Sequence, residues 1–391
     1  MRVIYISNFV LSGKMSPSVN ERQFVHSLEK NLPGEVFYFI KDGPVEIDLP
    51  QDRVRFFKET PSFSKPWQCL KHAYQWAKEV KELYKTHKAD VVVIRFGDNP
   101  LKEYFLTKML PQRVFVKSLG LYQLQGEPIN LMDRVLRYYH NWISEAFFRN
   151  CAGVEAVTAG YAERVEKGGV KKERIFVVSN SVPTDVFFPK QALSCPVYVP
   201  ENAFPVIGYA GGLPEEKGGM EIIGLLKRLK DEYPHAHGVI VGRSEKLNVL
   251  KAYAEECGVS QQCTIHEWLA LSQMPALLER FDLGVSFAPS YFLVGGNASM
   301  KIRQYLAMGI PVISQPQSND FLLENDLGLV VEQDNFLSIE GEVRDWIVRL
   351  SKNKGEIRQR LHQYAQENLS SDFALNERIK NWSRLTKEMD R

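Results

Sequence analysis

The chain has 391 residues, 44% apolar and 25% charged, with a formal net charge of +2. That length suits two domains with a core each, the balance is that of a soluble globular protein, and so small a net charge gives no reason to expect a nucleic-acid partner. Five cysteines, Cys69, Cys151, Cys195, Cys257 and Cys263, form no CxxC or Cys/His ligand pattern and read as buried thiols in a reducing compartment.

The first residues, 1–8, read as a strand and not as a secretion signal. No apolar run reaches the roughly 18 residues needed to cross a bilayer. The expectation is a cytoplasmic protein, with peripheral contact on the inner face of a membrane allowed. Strand 3–6 leads through a polar loop, 7–18, to a helix over 19–32. Strands at 36–40 and 54–57 follow, then a long amphipathic helix over 67–87. That helix carries Lys71, Lys78, Lys81 and Lys85 with Trp67, Tyr74 and Trp76. Such a pattern can lie on anionic lipid, although a core-facing stripe with a solvated basic face is the preferred reading. Strand 91–94, a helix, strand 114–116, a helix over 131–150, strand 154–157, a short helix and strand 175–178 complete the first half. The alternation of near-continuous Val/Ile strands with helices argues for a parallel sheet covered on both faces.

The rhythm pauses between 179 and 205, where Pro183, Pro189, Pro196, Pro200 and Pro205 accumulate. Alternation then restarts. Strand 206–209 is followed by the loop Gly211-Gly-Leu-Pro-Glu-Glu-Lys-Gly218 and a helix to about 232. Strand 237–241, a helix ending near 257, strand 264–266, a helix over 274–281 and strand 283–287 follow. Next comes Gly295-Gly-Asn-Ala-Ser-Met-Lys301, which opens a helix, then Gly309 and Pro311 as its stop, and a strand from Val312. The last strand is expected at 329–331, and helices over 339–351, 355–368 and 374–389 close the chain. The division expected is a first domain over 1–183, a linker over 184–204, a second domain over 205–372 and a terminal helix over 373–391 returning to the first domain. Two doubly wound Rossmann-like halves facing each other would place ligands at the carboxyl ends of their strands, in the cleft between them.

Two loops in the second half suit phosphate. Each joins a strand to a helix, each contains glycines that let backbone approach a ligand, and each carries a lysine near a helix N-terminus, Lys217 in one and Lys301 in the other. Neither is GxxxxGK[ST] or GxGxxG. Asn297 and Ser299 are candidate N-caps of the second helix. Lys301 and Gln304, three apart, share one face, and Ile302, Tyr305 and Leu306 share the buried one. If both loops face one crevice they make a two-lysine pocket for a diphosphate. Each lysine is, on its own residues, equally readable as a solvated side chain at a loop end.

These segments resemble the donor domain of family 4 retaining glycosyltransferases, which have the two-domain glycosyltransferase-B fold. The resemblance rests on the loop 211–218, on Ile240-Val-Gly242, on Phe281-Asp-Leu-Gly-Val-Ser-Phe-Ala-Pro-Ser290 and on the run 299–313. Val178-Ser-Asn-Ser-Val-Pro-Thr-Asp-Val-Phe-Phe-Pro189 resembles the family's interdomain linker. Specific likeness runs from about 177 to 314; before that it is topological only. It implies transfer of a sugar from a nucleotide diphosphate sugar, with UDP or GDP as the nucleotide, to a hydroxyl-bearing acceptor, with retention at the anomeric carbon. It implies no cofactor beyond that co-substrate and no metal. Lys217 and Lys301 would hold the diphosphate and stabilise the leaving group. Gly13, Gly211, Gly212, Gly295, Gly296, Asn297, Ser299 and Gln304 would contact the donor, with Arg243 a substitute cation and Trp268 a neighbour of the base.

The chain also departs from the family. Where the family has a pair of glutamates, one before the helix and one on it, this chain has Gly296 and Gln304. The first loop has Gly212 in place of an arginine. Two alternatives therefore stand beside the enzyme: a degenerate sugar-nucleotide-binding or partner-binding protein of the same fold, and a nucleotide-sugar epimerase, for which no convincing pair of carboxylates is visible. On the acceptor side, Asn8, Lys14 and Asn20 are polar neighbours of Gly13, and Arg95, Asp98, Lys117 and Ser118 follow strand ends; each also reads as an ordinary loop residue.

Overall fold

The computed structural model describes residues 1–12, 16–59, 61, 65–97, 99–117, 129–189, 194–195, 197–211, 218–242, 247–287, 299–316 and 319–389. It divides into two compact units, one of Met1–Ser179 with Ala374–Arg391 and one of Asn180–Phe373.

The first unit is a seven-stranded parallel sheet. Its strands are β1 (Arg2–Ser7), β2 (Glu35–Lys41), β3 (Val54–Phe57), β4 (Val91–Arg95), β5 (Val114–Lys117), β6 (Gly153–Ala156) and β7 (Ile175–Val177), in the order β3-β2-β1-β4-β5-β6-β7. The order reverses between β1 and β4, the switch point of a doubly wound sheet. Helices α1 (Ser16–Asn31), α2 (Pro66–Thr86), α3 (Pro100–Met109), α4 (Leu131–Asn150) and α5 (Ala159–Lys167) are the connections. Strand side chains alternate between the two faces. Val3 and Tyr5 of β1 pack with Phe24, Leu28, Trp382 and Leu385, whereas Ile4 and Ile6 pack with Trp76, Leu106, Phe147 and Tyr161. Helix α1 begins at Ser16, earlier than the apolar periodicity suggests, because its first turn is polar.

The second unit is a six-stranded parallel sheet of β8 (Val206–Ala210), β9 (His237–Val241), β10 (Cys263–His266), β11 (Leu283–Ser286), β12 (Val312–Ser314) and β13 (Gly328–Val330), in the order β10-β9-β8-β11-β12-β13. Its switch point lies between β8 and β11. Its helices are α6 (Gly219–Leu229), α7 (Leu247–Glu256), α8 (Met274–Leu278), α9 (Met300–Ala307), α10 (Phe321–Glu324) and α11 (Glu340–Asn368). Helix α11 breaks at Asn353, whose φ of −136° and ψ of 34° are not helical, so the two helices read from the sequence there are a kinked pair. Residues 184–204, expected as a linker, contribute Phe187, Val197 and Val199 to this unit's core, because their apolar side chains have the core edge to bury against. The last helix, α12 (Ser371–Met389), packs Leu375, Trp382 and Leu385 into the first unit. Its Arg378 forms a buried two-pronged ion pair with Glu155 of β6, at 2.8 and 2.9 Å.

The two crossing segments run side by side within the second unit. The Val182 amide donates to the Leu369 carbonyl at 2.9 Å, and the Ser371 amide donates to the Val182 carbonyl at 3.0 Å. The expectation of an α/β protein with two doubly wound halves holds.

Candidate donor site in the second unit

The site grows from the switch point. Strand β8 ends at Ala210, whose amide donates to the Tyr305 hydroxyl of α9 at 3.0 Å. Tyr305 is fully buried, which pushes its phenol well above the ordinary value, so it stays a neutral acceptor that clamps the strand end to the helix. Gly211 follows, with φ of 149°, a region that L side chains rarely adopt. A Cβ at Gly211 would lie 2.1 Å from Cε and 2.9 Å from Nζ of Lys301. The Lys301 ammonium also stands 5.6 Å from the ring centroid of Tyr209, within cation–π range. Strand β8 and helix α9 thus deliver the end of one glycine loop and the lysine of the other to the same place.

Helix α9 is held from three sides. Ile302, Tyr305 and Leu306 are buried in the core, while Lys301 and Gln304 share a partly exposed face. Ser299 occupies the N-cap position but makes no capping bond through its side chain. Its hydroxyl instead lies 3.3 Å from that of Ser286, at the end of β11. Ser286 is in turn fixed by Ser314 of β12, whose hydroxyl donates to the Ser286 carbonyl at 2.6 Å. Buried Arg303 donates to the Ser299 carbonyl at 2.8 Å and to the Asn180 carbonyl at 2.7 Å. Burial lowers the Arg303 guanidinium to about 10, still charged at neutral pH. The helix ends as expected: Gly309, with φ of 71°, follows Met308.

Of the residues singled out in the sequence, Gly211 and Lys301 are brought together, and Ser299 and Gln304 lie on the same short helix. Trp268 is exposed in the loop after β10, two strands from β8. Gly13, Gly212, Lys217, Arg243, Gly295, Gly296 and Asn297 lie outside the described residues, as do Lys14, Asp98 and Ser118. Sequence reasoning missed Tyr209, Ser286, Arg303 and Tyr305 as site-building residues. Tyr305 and Arg303 carried a usable signal, since Tyr305 is one of the buried positions of α9 and Arg303 lies beside Leu306 in the helical period.

The first unit has its own polar cluster at its switch point. Glu21 of α1 is fully buried. It accepts from the Tyr5 hydroxyl, from the Ser7 hydroxyl at 3.1 Å and from the Lys117 ammonium at 3.4 Å, and it pairs with Arg95 at 3.2 Å. Burial alone would raise the Glu21 carboxyl. Lys117, Arg95 and the two hydroxyls outweigh that and hold it below the ordinary value. Burial lowers Lys117 to about 8, with Arg378 and Arg95 adding to the effect against the attraction of Glu21. Lys117 also lies 3.6 Å from the Phe24 ring centroid. Arg95 and Lys117 are therefore walls of a buried network, not solvated loop residues. Asn8 donates to the Arg95 carbonyl at 2.7 Å and to Glu103 at 2.6 Å.

Comparison with known proteins agrees with this architecture. A glycosyltransferase from Rickettsia africae has 17% sequence identity and a TM-score of 0.73, with 99% of this chain and 98% of that one covered. The lipopolysaccharide outer core galactosyltransferase WaaB shows 14% identity and a TM-score of 0.64, with both chains covered in full. HepE from Anabaena, solved in complex with UDP, shows 13% identity and a TM-score of 0.63, over 98% of this chain and 100% of that one. The fold is that of the two-domain glycosyltransferase-B proteins. Residues 198–368 match the family model described as Glycosyl transferases group 1, a segment that contains Gly211, Lys301 and Gln304. A search of curated proteins returned no match.

Proposed function

We propose that this protein is a retaining glycosyltransferase that moves a sugar, of hexose type, from a nucleotide diphosphate sugar to an acceptor hydroxyl. The observation that carries the reading is the contact of Gly211 with Lys301. It joins the two segments that resemble phosphate-holding loops, at the switch point of a sheet, where such folds bind nucleotides. Similarity to a protein solved with UDP and the match over 198–368 support a nucleotide sugar as donor, with UDP or GDP as the nucleotide.

In this mechanism Lys301 and Lys217 hold the diphosphate. As the bond from the anomeric carbon to the phosphate oxygen breaks, both electrons stay on that oxygen, and the lysines stabilise the growing charge without a metal. The acceptor hydroxyl attacks from the same face and passes its proton to the leaving phosphate, so no protein nucleophile is needed. The positive end of the helix dipole at the start of α9 adds favourable potential. Gly211, Gly212, Gly295, Gly296 and Asn297 would let backbone approach the donor. Ser299 and Gln304 offer hydrogen bonds, with Gly13, Arg243 and Trp268 as further donor contacts. Gln304 can donate and accept but carries no charge, so ribose would be held more weakly than by a carboxylate.

That same Gln304, partly exposed on the Lys301 face, favours a second reading, a nucleotide-sugar binder without turnover. A panel of UDP- and GDP-sugars, read by thermal shift and by donor hydrolysis, separates the two. Stabilisation and hydrolysis by one donor support the transferase. Stabilisation without turnover, with any acceptor, supports the binder. No response to any nucleotide overturns both.

A further inference from the structure

Helix α4 buries one stripe and leaves a second, apolar stripe exposed. His140, Ser144 and Phe147 face inward and are buried. Leu131, Val135, Tyr138 and Trp142 recur at i, i+4, i+7 and i+11, and at about 100° per residue they point directly away from that buried side. They are exposed: Leu131 by 75%, Tyr138 by 68% and Trp142 by 51%. Met132 and Tyr139, both exposed, widen the stripe. This is a formed helix and not a frayed end. Asn130 caps it by accepting from the Asp133 amide at 2.8 Å, the Asp133 carboxylate accepts from the Ile129 amide at 3.0 Å, and Asp133 pairs with Arg137 at 2.8 Å.

Helix α2 repeats the arrangement. Cys69, Ala73 and Trp76 are buried, while Trp67, exposed by 81%, and Tyr74, by 52%, lie on the opposite side. Lys71 and Lys78 continue that exposed line, and no acidic residue occurs between 65 and 78. Connections to strands β4, β5 and β6, all added on the same side of β1, put α2, α3 and α4 on one face of the sheet by the right-handed crossover rule. Their first turns then lie together at the carboxyl end of the strands. The Asn99 side chain that caps α3 reaches Cys69 of α2 at 3.4 Å, consistent with adjacent helix starts.

We infer that this face is a bilayer contact, seated on anionic lipid through the exposed stripe of α4 and the aromatic, lysine-lined start of α2. Trp and Tyr beside Leu, with Lys at the margin, is the composition of an interfacial membrane surface. Protein interfaces deplete lysine, which argues against a second copy of this chain as the occupant. The face lies at the end of the first unit where a doubly wound sheet presents ligands. On the sugar-transfer reading above, and resting on it, the acceptor is therefore an amphiphile whose hydroxyl is offered at the membrane surface; the bilayer contact itself does not depend on that reading.

The test is flotation of the full chain with vesicles of phosphatidylcholine alone and of phosphatidylcholine with phosphatidylglycerol. The wild type should float with the anionic vesicles and release at high salt. Leu131→Ser/Tyr138→Ser/Trp142→Ser should lower vesicle affinity at least about tenfold with an unchanged melting temperature. Lys71→Glu/Lys78→Glu should weaken binding to the anionic vesicles only. Failure of the wild type to float, or full binding by the triple variant, overturns the inference. So does a wild-type dimer that dissociates in the triple variant without any vesicle binding, which assigns the stripe to a second copy. Thermal shift by a nucleotide sugar should be the same in all these variants, so failure of the bilayer contact and failure of sugar transfer read out separately.

Discussion

Gly211 and Lys301 occupy one another's space: a single methyl group at residue 211 would lie 2.1 Å from the lysine Cε. The close approach depends on a backbone φ of 149° at Gly211 and on the clamp between Ala210 and Tyr305. Gly211→Ala is therefore expected to displace the lysine and strain the loop together. It should cost about 1–3 kcal/mol of stability in urea unfolding and weaken nucleotide binding by titration calorimetry. An alanine variant that keeps both unchanged removes the significance of the contact.

Lys217→Ala and Lys301→Ala should each cost about 1–3 kcal/mol of nucleotide binding or of transition-state stabilisation. The measurement is kcat/KM for donor hydrolysis alongside the nucleotide Kd. Lys301 stacks near Tyr209, so Lys301→Arg should retain part of the binding where Lys301→Ala does not. Equal losses in Arg and Ala would show that size, not charge, sets the site.

Arg303 is expected to act through α9 and not on the donor. Its guanidinium ties the Ser299 carbonyl to the Asn180 carbonyl at the start of the second unit. Arg303→Met leaves both carbonyls without that donor and should destabilise by about 2–4 kcal/mol. At a temperature where the variant stays folded, the nucleotide Kd should rise because the lysine is no longer held. Loss of stability with an unchanged Kd would assign Arg303 to the core alone.

The strands were legible because a two-faced parallel strand has to be apolar throughout, as in Val91-Val-Val-Ile94. The kink at Asn353 was legible too, as a gap between two helical patterns. The buried network of the first unit was not. Glu21 sits in Asn20-Glu-Arg-Gln-Phe24, which reads as a solvated helix face, and only its position beneath Arg95 and Lys117 buries it. Periodicity marks which side of α1 is apolar, but it cannot tell that two strand ends, those of β4 and β5, bring cations to the polar side. The same limit applies to α4. Its outward stripe is apolar by composition, and only the packing shows that a different stripe faces the core. In the candidate site, the lysine was found from its loop, whereas Tyr305 and Ser286 acquired their roles from strands that are distant in sequence.

Lys117 gives a pH signature. Its folded value of about 8 lies below the roughly 10.4 of an unfolded lysine. Between those values the unfolded chain binds the extra proton, so stability rises with pH across that window. Below about pH 8 both states are protonated and the burial cost is fully felt. Lys117→Met removes this contribution. Melting temperature measured from pH 7.5 to 10 should climb more in the wild type than in the variant, and parallel curves would contradict the buried charge.

The most direct test of sugar transfer at this site is titration calorimetry of UDP-sugars and GDP-sugars into the wild type and into Lys301→Ala. One nucleotide is expected to bind the wild type and to lose about 10- to 100-fold in affinity in the variant, at about 1.4 kcal/mol per factor of ten. The same affinity in both proteins, or no binding of either nucleotide to the wild type, would contradict the account.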